Sequence, residues 1–237
     1  MFDEFKELEE KEPLDILKWA KEKFKSDEIT LASSFGAEDV VLIDMWTSLK
    51  DENFSPKIFT LDTGRLPQET YDLMDIIMDK YKIKIDVYFP DTKKVEDMVK
   101  EYGFNLFYKS IELRQLCCRI RKVEPLKRAL QGKKAWITGL RREQSVTRKD
   151  IKKVEVDEAN NSIIKINPLI DWKEEDVWNY IKEKNIPYNY LHDKGYPSIG
   201  CLPCTRAVKK IEDIRAGRWW WEDPDKKECG LHKRAKY

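Results

Sequence analysis

Four of the five cysteines fall into two close pairs, Cys117 and Cys118 in LCCRIRKVEPL and Cys201 and Cys204 in GCLPCTR. Four thiolates supplied this way suit either tetrahedral zinc or an iron–sulfur cluster. Adjacency favours the cluster: zinc would force two neighbouring side chains onto one atom, whereas in a cubane each cysteine binds its own iron. In a reducing compartment an odd, closely spaced cysteine set points to metal or catalysis rather than to disulfides. Cys229, in ECGLH, is then left over for chemistry of its own. Only the thiolate is a nucleophile and a free thiol is mostly protonated at neutral pH, so cations near it matter. Arg121 and Lys122 closely follow the first pair. EDIRAGRWWWED sets Arg215 and Arg218 three residues apart beside three tryptophans. On one helical face these arginines would clamp an anion bidentately. The tryptophans read as packing, or as a lid over a site, ahead of a base-stacking platform.

Three loops carry the other candidates. SSFGAEDV supplies the Ser33 and Ser34 hydroxyls, Phe35, and Gly36 at the start of a helix, a pattern that reads as an anion cradle. It lacks the Gly-Lys-Ser/Thr ending of a Walker loop, so a nucleotide bound there need not be ATP. LDTGR (Leu61, Asp62, Thr63) and ITGLRREQS (Gly139) each place a glycine after a strand, where a flat ring can approach main chain, and each adds arginine. Three such loops converging on one sheet edge point to a small molecule bearing phosphate.

The elements that must position these residues alternate. EITLASS, KIFTLDTG, IKIDVYF and AWITGL read as strands, and helical patterns follow the first three, after an amphipathic helix over 13–25. That alternation predicts a doubly wound parallel α/β sheet with its ligands beyond the carboxyl ends of the strands. From about Asn167 the texture changes to one helix over 173–184 and a loop rich in Pro, Gly and Tyr. The expected organisation is an α/β nucleotide-binding core with its N-terminal helix over 1–166, a C-terminal subdomain completing the cluster site over 167–218, and a tail over 219–237. The 237 residues hold 45 Lys and Arg against 44 Asp and Glu, and this balance excludes the strong field of a general nucleic-acid binder. The N-terminal stretch is acidic without an apolar core, and no run approaches the roughly 18 apolar residues of a membrane span. A cytoplasmic protein with no membrane and no nucleic-acid partner is expected.

The segments SSFGAED, LDTGR, CCRIRKVEPL, TGLRREQS, GCLPCTRAV, RAGRWWW and ECGLH, in this order, resemble the assimilatory sulfonucleotide reductases over most of the chain. The resemblance implies a fold of the adenine nucleotide α-hydrolase-like type and a [4Fe-4S] cluster on Cys117, Cys118, Cys201 and Cys204. It implies adenosine 5′-phosphosulfate (APS) as substrate, with the 3′-phosphorylated form, PAPS, or use of both left open. It further implies that a mobile C-terminal tail brings Cys229 to the substrate's sulfur, and that thioredoxin or a similar dithiol releases sulfite for cysteine biosynthesis. Lys122, Arg215, Arg218 and His232 would surround the phosphosulfate. The adenosine would lie across Ser33, Ser34, Phe35 and Gly36, Leu61, Asp62 and Thr63, and Gly139. A homo-oligomer is compatible with all of this.

Two other classes compete. An adenylating ATP pyrophosphatase would share the fold, but its SGGxDS-type loop is missing and ECGLH is present. A zinc-binding nucleic-acid module would use the tryptophans to stack bases, and the near-zero net charge weighs against it.

Overall fold

The computed structural model describes residues 2–144, 148–209, 213, 215–223 and 230–231. Helices α1 (Phe2–Leu8) and α2 (Pro13–Lys23) open the chain, the second with proline in its first turn, where a missing N–H costs nothing. Strand β1 (Ile29–Ala32) leads into α3 (Ala37–Ser48), which is apolar nearly all round and buries Val40, Val41, Ile43 and Trp46. Then come β2 (Ile58–Leu61), α4 (Gln68–Tyr81), β3 (Asp86–Tyr88) and α5 (Thr92–Tyr102). Asp91 caps α5 by accepting from the Lys94 N–H at 2.9 Å. Helices α6 (Ile111–Cys118) and α7 (Glu124–Ala129) precede β4 (Ala135–Ile137), β5 (Val154–Asp157), β6 (Ile163–Ile166) and α8 (Glu174–Glu183).

The six strands form one sheet in the order β3-β2-β1-β4-β6-β5. β1 runs parallel to β2 and β4, and β4 runs parallel to β6, as the alternating pattern requires. β5 departs from the expected parallel arrangement by pairing antiparallel with β6. Only a short turn joins the two, with Asn161 and Ser162 left-handed at φ 60° and 55°. A parallel pair would need a crossover of about a dozen residues or more. Since β1 has β2 on one side and β4 on the other, strand order reverses there, and the loops that follow β1 and β4 diverge from that point.

The chain forms two compact units that interleave along the sequence instead of following the order of the composition changes. One comprises residues 1–60, 72–86 and 132–189, and the other 61–71, 87–131 and 190–237. In the first, Asp44 on α3 accepts hydrogen bonds from Tyr81 of α4 (2.8 Å) and Tyr180 of α8 (3.0 Å), tying three helices together. Burial, reinforced by Asp44, raises the pKa of both phenols, so they remain donors. The second has its own core of Met98, Leu106, Phe107, Ile120 and Trp219 packed around Cys118, Cys201 and Cys204. Among the described residues no helix is long and apolar enough to cross a membrane.

Candidate active site

The second unit gathers the cysteines. Ser110 caps α6 by accepting from the Leu113 N–H at 3.2 Å, and the helix runs to Cys118. It continues as a π-turn over Arg119–Val123 before α7 resumes. In this wider turn, residues four and five apart share a face, so Arg121 and Lys122 line the same cavity as Cys117 and Cys118. Cys201 and Cys204 reach that cavity from a short 3₁₀ turn, Leu202–Cys204, anchored by the Leu202 N–H to the Arg65 carbonyl (2.8 Å) and the Trp219 N–H to the Cys204 carbonyl (3.1 Å). All four thiols are free of disulfides.

Positive charge surrounds them. Arg65, Arg114, Arg121, Lys122 and Arg218 all line the cavity. Burial raises the Cys117 thiol and pushes Cys204 up to about 12. Cys201 is buried, and burial alone would raise it too. The Lys122 charge, the Thr63 hydroxyl at 3.2 Å and the Arg218 and Arg121 charges outweigh that burial and lower its pKa. Thr63 is held in turn: its carbonyl accepts from Arg121 Nη1 at 2.6 Å and its Oγ1 from the Arg65 N–H at 3.2 Å. Asp62 accepts from the Gly64 N–H (2.7 Å) and the Tyr71 hydroxyl (2.9 Å). The LDTGR turn therefore spends its side chains on organising the cysteine cavity, where the sequence suggested open main chain for a flat ring.

The tryptophan segment completes the wall. Trp219, 1% exposed and left-handed at φ 41°, has the guanidinium carbons of Arg114 and Arg218 at 4.9 and 4.8 Å from its ring. A bulky residue at positive φ is a backbone outlier of the kind that clusters at functional sites. Arg218 Nη1 donates to the Ile199 carbonyl at 3.1 Å, and its guanidinium occupies the space a Cβ on Gly200 would need. Arg215 and Arg218 share a turn rather than a helix, the Arg218 N–H reaching the Arg215 carbonyl at 2.9 Å. Arg218 lines the cavity, and Arg215, half-buried, is not among the lining residues.

In the first unit the loop after β1 is strained and internally bonded. Phe35 is fully buried and left-handed at φ 60°, its N–H donating to Ser33 Oγ at 3.1 Å. The Asp39 carboxylate accepts from both the N–H (2.6 Å) and the hydroxyl (2.8 Å) of Ser34. Two of the donors expected to face an anion are thus taken by the chain itself. Beside this loop Gly139 leaves no room for a side chain, because a Cβ there would collide with the Asp39 carboxylate. The Gly139→Ala variant should therefore lose about 1–3 kcal/mol by overpacking, read as a lowered urea midpoint.

Residues 28–207 match the phosphoadenosine phosphosulfate reductase domain. An adenosine 5′-phosphosulfate reductase from Allochromatium vinosum is 54% identical over 208 residues, covering 88% of this chain and 80% of that protein. The chain belongs to the phosphoadenosine phosphosulfate reductase family. It is accordingly an enzyme, an oxidoreductase acting on a sulfur group. A crystal structure of phosphoadenylyl-sulfate reductase from Candida auris, a phosphate complex, aligns with a TM-score of 0.72 at 32% identity, covering 86% of this chain and 94% of that one. FMN adenylyltransferase from Candida glabrata aligns at 0.57 with 15% identity over 95% of this chain and 74% of that one, a likeness of fold alone.

For this member of the reductase family, the structure brings Cys117, Cys118, Cys201, Cys204, Lys122 and Arg218 around one cavity. It places Ser33, Ser34, Phe35, Gly36 and Gly139 in the first unit, and Leu61, Asp62 and Thr63 in the second. Cys229 and His232 lie outside the described residues. Sequence reasoning noted Arg65 only as the arginine of LDTGR and passed over Arg114, and both stand in the cavity wall. Arg114 stands three and four residues before the cysteine pair, a helical spacing that could have flagged it. It also passed over Glu38 and Asp39, which read as ordinary acids of a helix start.

Proposed function

We propose that this enzyme reduces adenosine 5′-phosphosulfate to sulfite and AMP, with Cys229 as nucleophile and thioredoxin or a similar dithiol as reductant. The observation that carries the reading is a cavity in which four cysteines, none of them in a disulfide, meet five cations. A wall this rich in positive charge suits thiolate sulfur and an anionic substrate together.

The donor set fits an iron–sulfur cluster: four thiols from two segments face one space, and the Thr63 hydroxyl stands 3.2 Å from the sulfur of Cys201. Among the described residues no three Cys, His, Asp or Glu side chains are grouped to grip a single metal ion. Cys117, Cys118, Cys201 and Cys204 would hold the cluster, which when bound contributes structure and electrostatic field, while thiols supply both electrons.

The chemistry balances through the chain's own sulfur. The Cys229 thiolate forms a bond to the sulfonate sulfur as the sulfur–oxygen bond to AMP breaks, leaving an S-sulfocysteine. One thiol of a dithiol then attacks the cysteine sulfur and sulfite departs, leaving a mixed disulfide, and the second thiol closes the reductant to its own disulfide and releases the Cys229 thiolate. Lys122 and Arg218, with Arg215 and His232 carried over from the family pattern, would offset the phosphosulfate's charge and so weaken its repulsion of the incoming thiolate. Loop 33–36 and Gly139, both in the first unit, are the proposed contacts for adenosine. A cytoplasmic setting in sulfate assimilation follows from the same reading.

The test is the intact mass of anaerobically purified enzyme mixed with adenosine 5′-phosphosulfate in the absence of thiol, followed by peptide mapping. A sulfonate adduct on the Cys229 peptide, released by thioredoxin, is expected. No adduct with this substrate or with its 3′-phosphorylated form overturns the scheme. Lys122→Ala should lower kcat/KM roughly 10- to 100-fold, the worth of one charge-assisted contact, while iron content stays at the wild-type level. Unchanged kinetics would remove Lys122 from the substrate's surroundings.

A further inference from the structure

Asp39 is a buried carboxylate that the scheme above leaves without a role. It is the third residue of α3, 8% exposed, and one of its oxygens, Oδ2, serves both donors of Ser34. The other, Oδ1, faces Gly139 at the position a Cβ would occupy. One residue earlier, Glu38 accepts from Arg141 Nε at 2.7 Å and from Gln144 Nε2 at 2.8 Å. Arg141 is itself 1% exposed and also donates to Glu143 at 2.7 Å. Two successive acids thus fasten the loop after β1 and the loop after β4 to a single helical turn, where the strand order reverses.

Holding a carboxylate there works against stability. Burial raises its pKa to about 6 despite the hydrogen bonds from Ser34, so at neutral pH an ionised group is kept out of water. Glu38 on its own helix raises it further, and Arg141 from the β4 loop is engaged on Glu38. A place that required only packing would be better served by a neutral side chain of the same shape.

We propose that Asp39 is a positioning residue for the nucleotide: it holds Ser34 and Gly139 as one wall, and Glu38 braces that wall through Arg141 and Gln144. The proposal rests on the reading of these loops as the adenosine site. It separates affinity from stability, because the group kept for binding is unfavourable for the fold. The raised pKa fixes the sign. The carboxyl's favourable contribution is present below its unfolded value near 3.8 and is lost as pH rises through about 6. Replacing it by a neutral isostere therefore helps the fold most at alkaline pH.

The experiment compares the holoenzyme with Asp39→Asn, Asp39→Ala, Ser34→Ala and Gly139→Ala variants. It reads the AMP dissociation constant by calorimetry, kcat and KM for adenosine 5′-phosphosulfate, and the urea midpoint at pH 8 and pH 5.5. Asp39→Ala should weaken AMP binding and raise KM by about tenfold, with kcat within about twofold of wild type. Asp39→Asn, which keeps one oxygen for Ser34, should recover most of that affinity. Its urea midpoint should exceed wild type at pH 8, by a margin that shrinks at pH 5.5. Unchanged AMP affinity in Asp39→Ala, with a loss in Ser34→Ala, overturns the proposal and leaves the nucleotide site standing. A midpoint below wild type for Asp39→Asn at pH 8 makes Asp39 a fold residue and also overturns it. If AMP affinity is unchanged in Asp39→Ala, Ser34→Ala and Gly139→Ala alike, the reading of these loops as the adenosine site fails first.

Discussion

Cys229→Ser is expected to abolish turnover, by roughly three orders of magnitude or more, while the protein keeps its iron and its colour. Both halves of this result follow from how the five cysteines divide. Four line one cavity in the second unit, and they would make a complete set of ligands for the proposed cluster without Cys229. A serine hydroxyl is far less acidic than a thiol and makes no disulfide with a dithiol, so it can neither attack sulfur at neutral pH nor be regenerated by the reductant. Steady-state assay with thioredoxin, together with iron analysis of the same sample, reads the two halves separately. Loss of iron along with activity would make Cys229 a ligand. Retained turnover would place the nucleophile elsewhere.

The parts of this arrangement that follow local rules were legible in the sequence. Strand–loop–helix repeats announced the parallel part of the sheet, and the two cysteine pairs, read together from their spacing, line one cavity. Lys122 and Arg218 were named from proximity to those cysteines and to the tryptophans, and both line the cavity. What escaped depended on contacts between distant segments. The π-turn over Arg119–Val123 has no marker in RIRKV, since any helix-forming run can carry the i→i+5 pattern when packing favours it. Asp39 looked like a residue placed for the helix dipole, a common use of acids in a first turn. Its engagement with Ser34 and Gly139 appears only when the β1 and β4 loops are side by side. Interleaving of the two units is likewise a property of long-range contacts, whereas 1–166, 167–218 and 219–237 were drawn from composition in sequence order.

The pair formed by Arg114 and Glu222 carries the largest expected effect on stability. Arg114 Nε and Nη2 donate to the two carboxylate oxygens of Glu222 at 2.9 and 2.7 Å. Their side chains are 0% and 2% exposed. Removing one partner from such a pair leaves a buried charge without its counterion and costs about 3–5 kcal/mol, whereas replacing both by apolar groups of similar volume is often close to neutral. Glu222→Gln should therefore lower the urea midpoint sharply, and a double Arg114→Met, Glu222→Leu variant should recover much of the loss. The guanidinium matters beyond this pair because it stacks on Trp219 and stands on α6 before Cys117 and Cys118. Glu222 follows directly on WWW. The ion pair thus joins the helix that presents two cysteines to the segment that supplies Arg218 and Trp219. Glu222→Gln is expected to shed iron at a lower urea concentration than wild type, and in the same concentration range in which tryptophan fluorescence changes. A shift worth less than about 1 kcal/mol would mean that water reaches Arg114 and that the pair is an ordinary surface bridge. Iron loss well before the fluorescence change would show that the cysteine helix opens without the tryptophan segment.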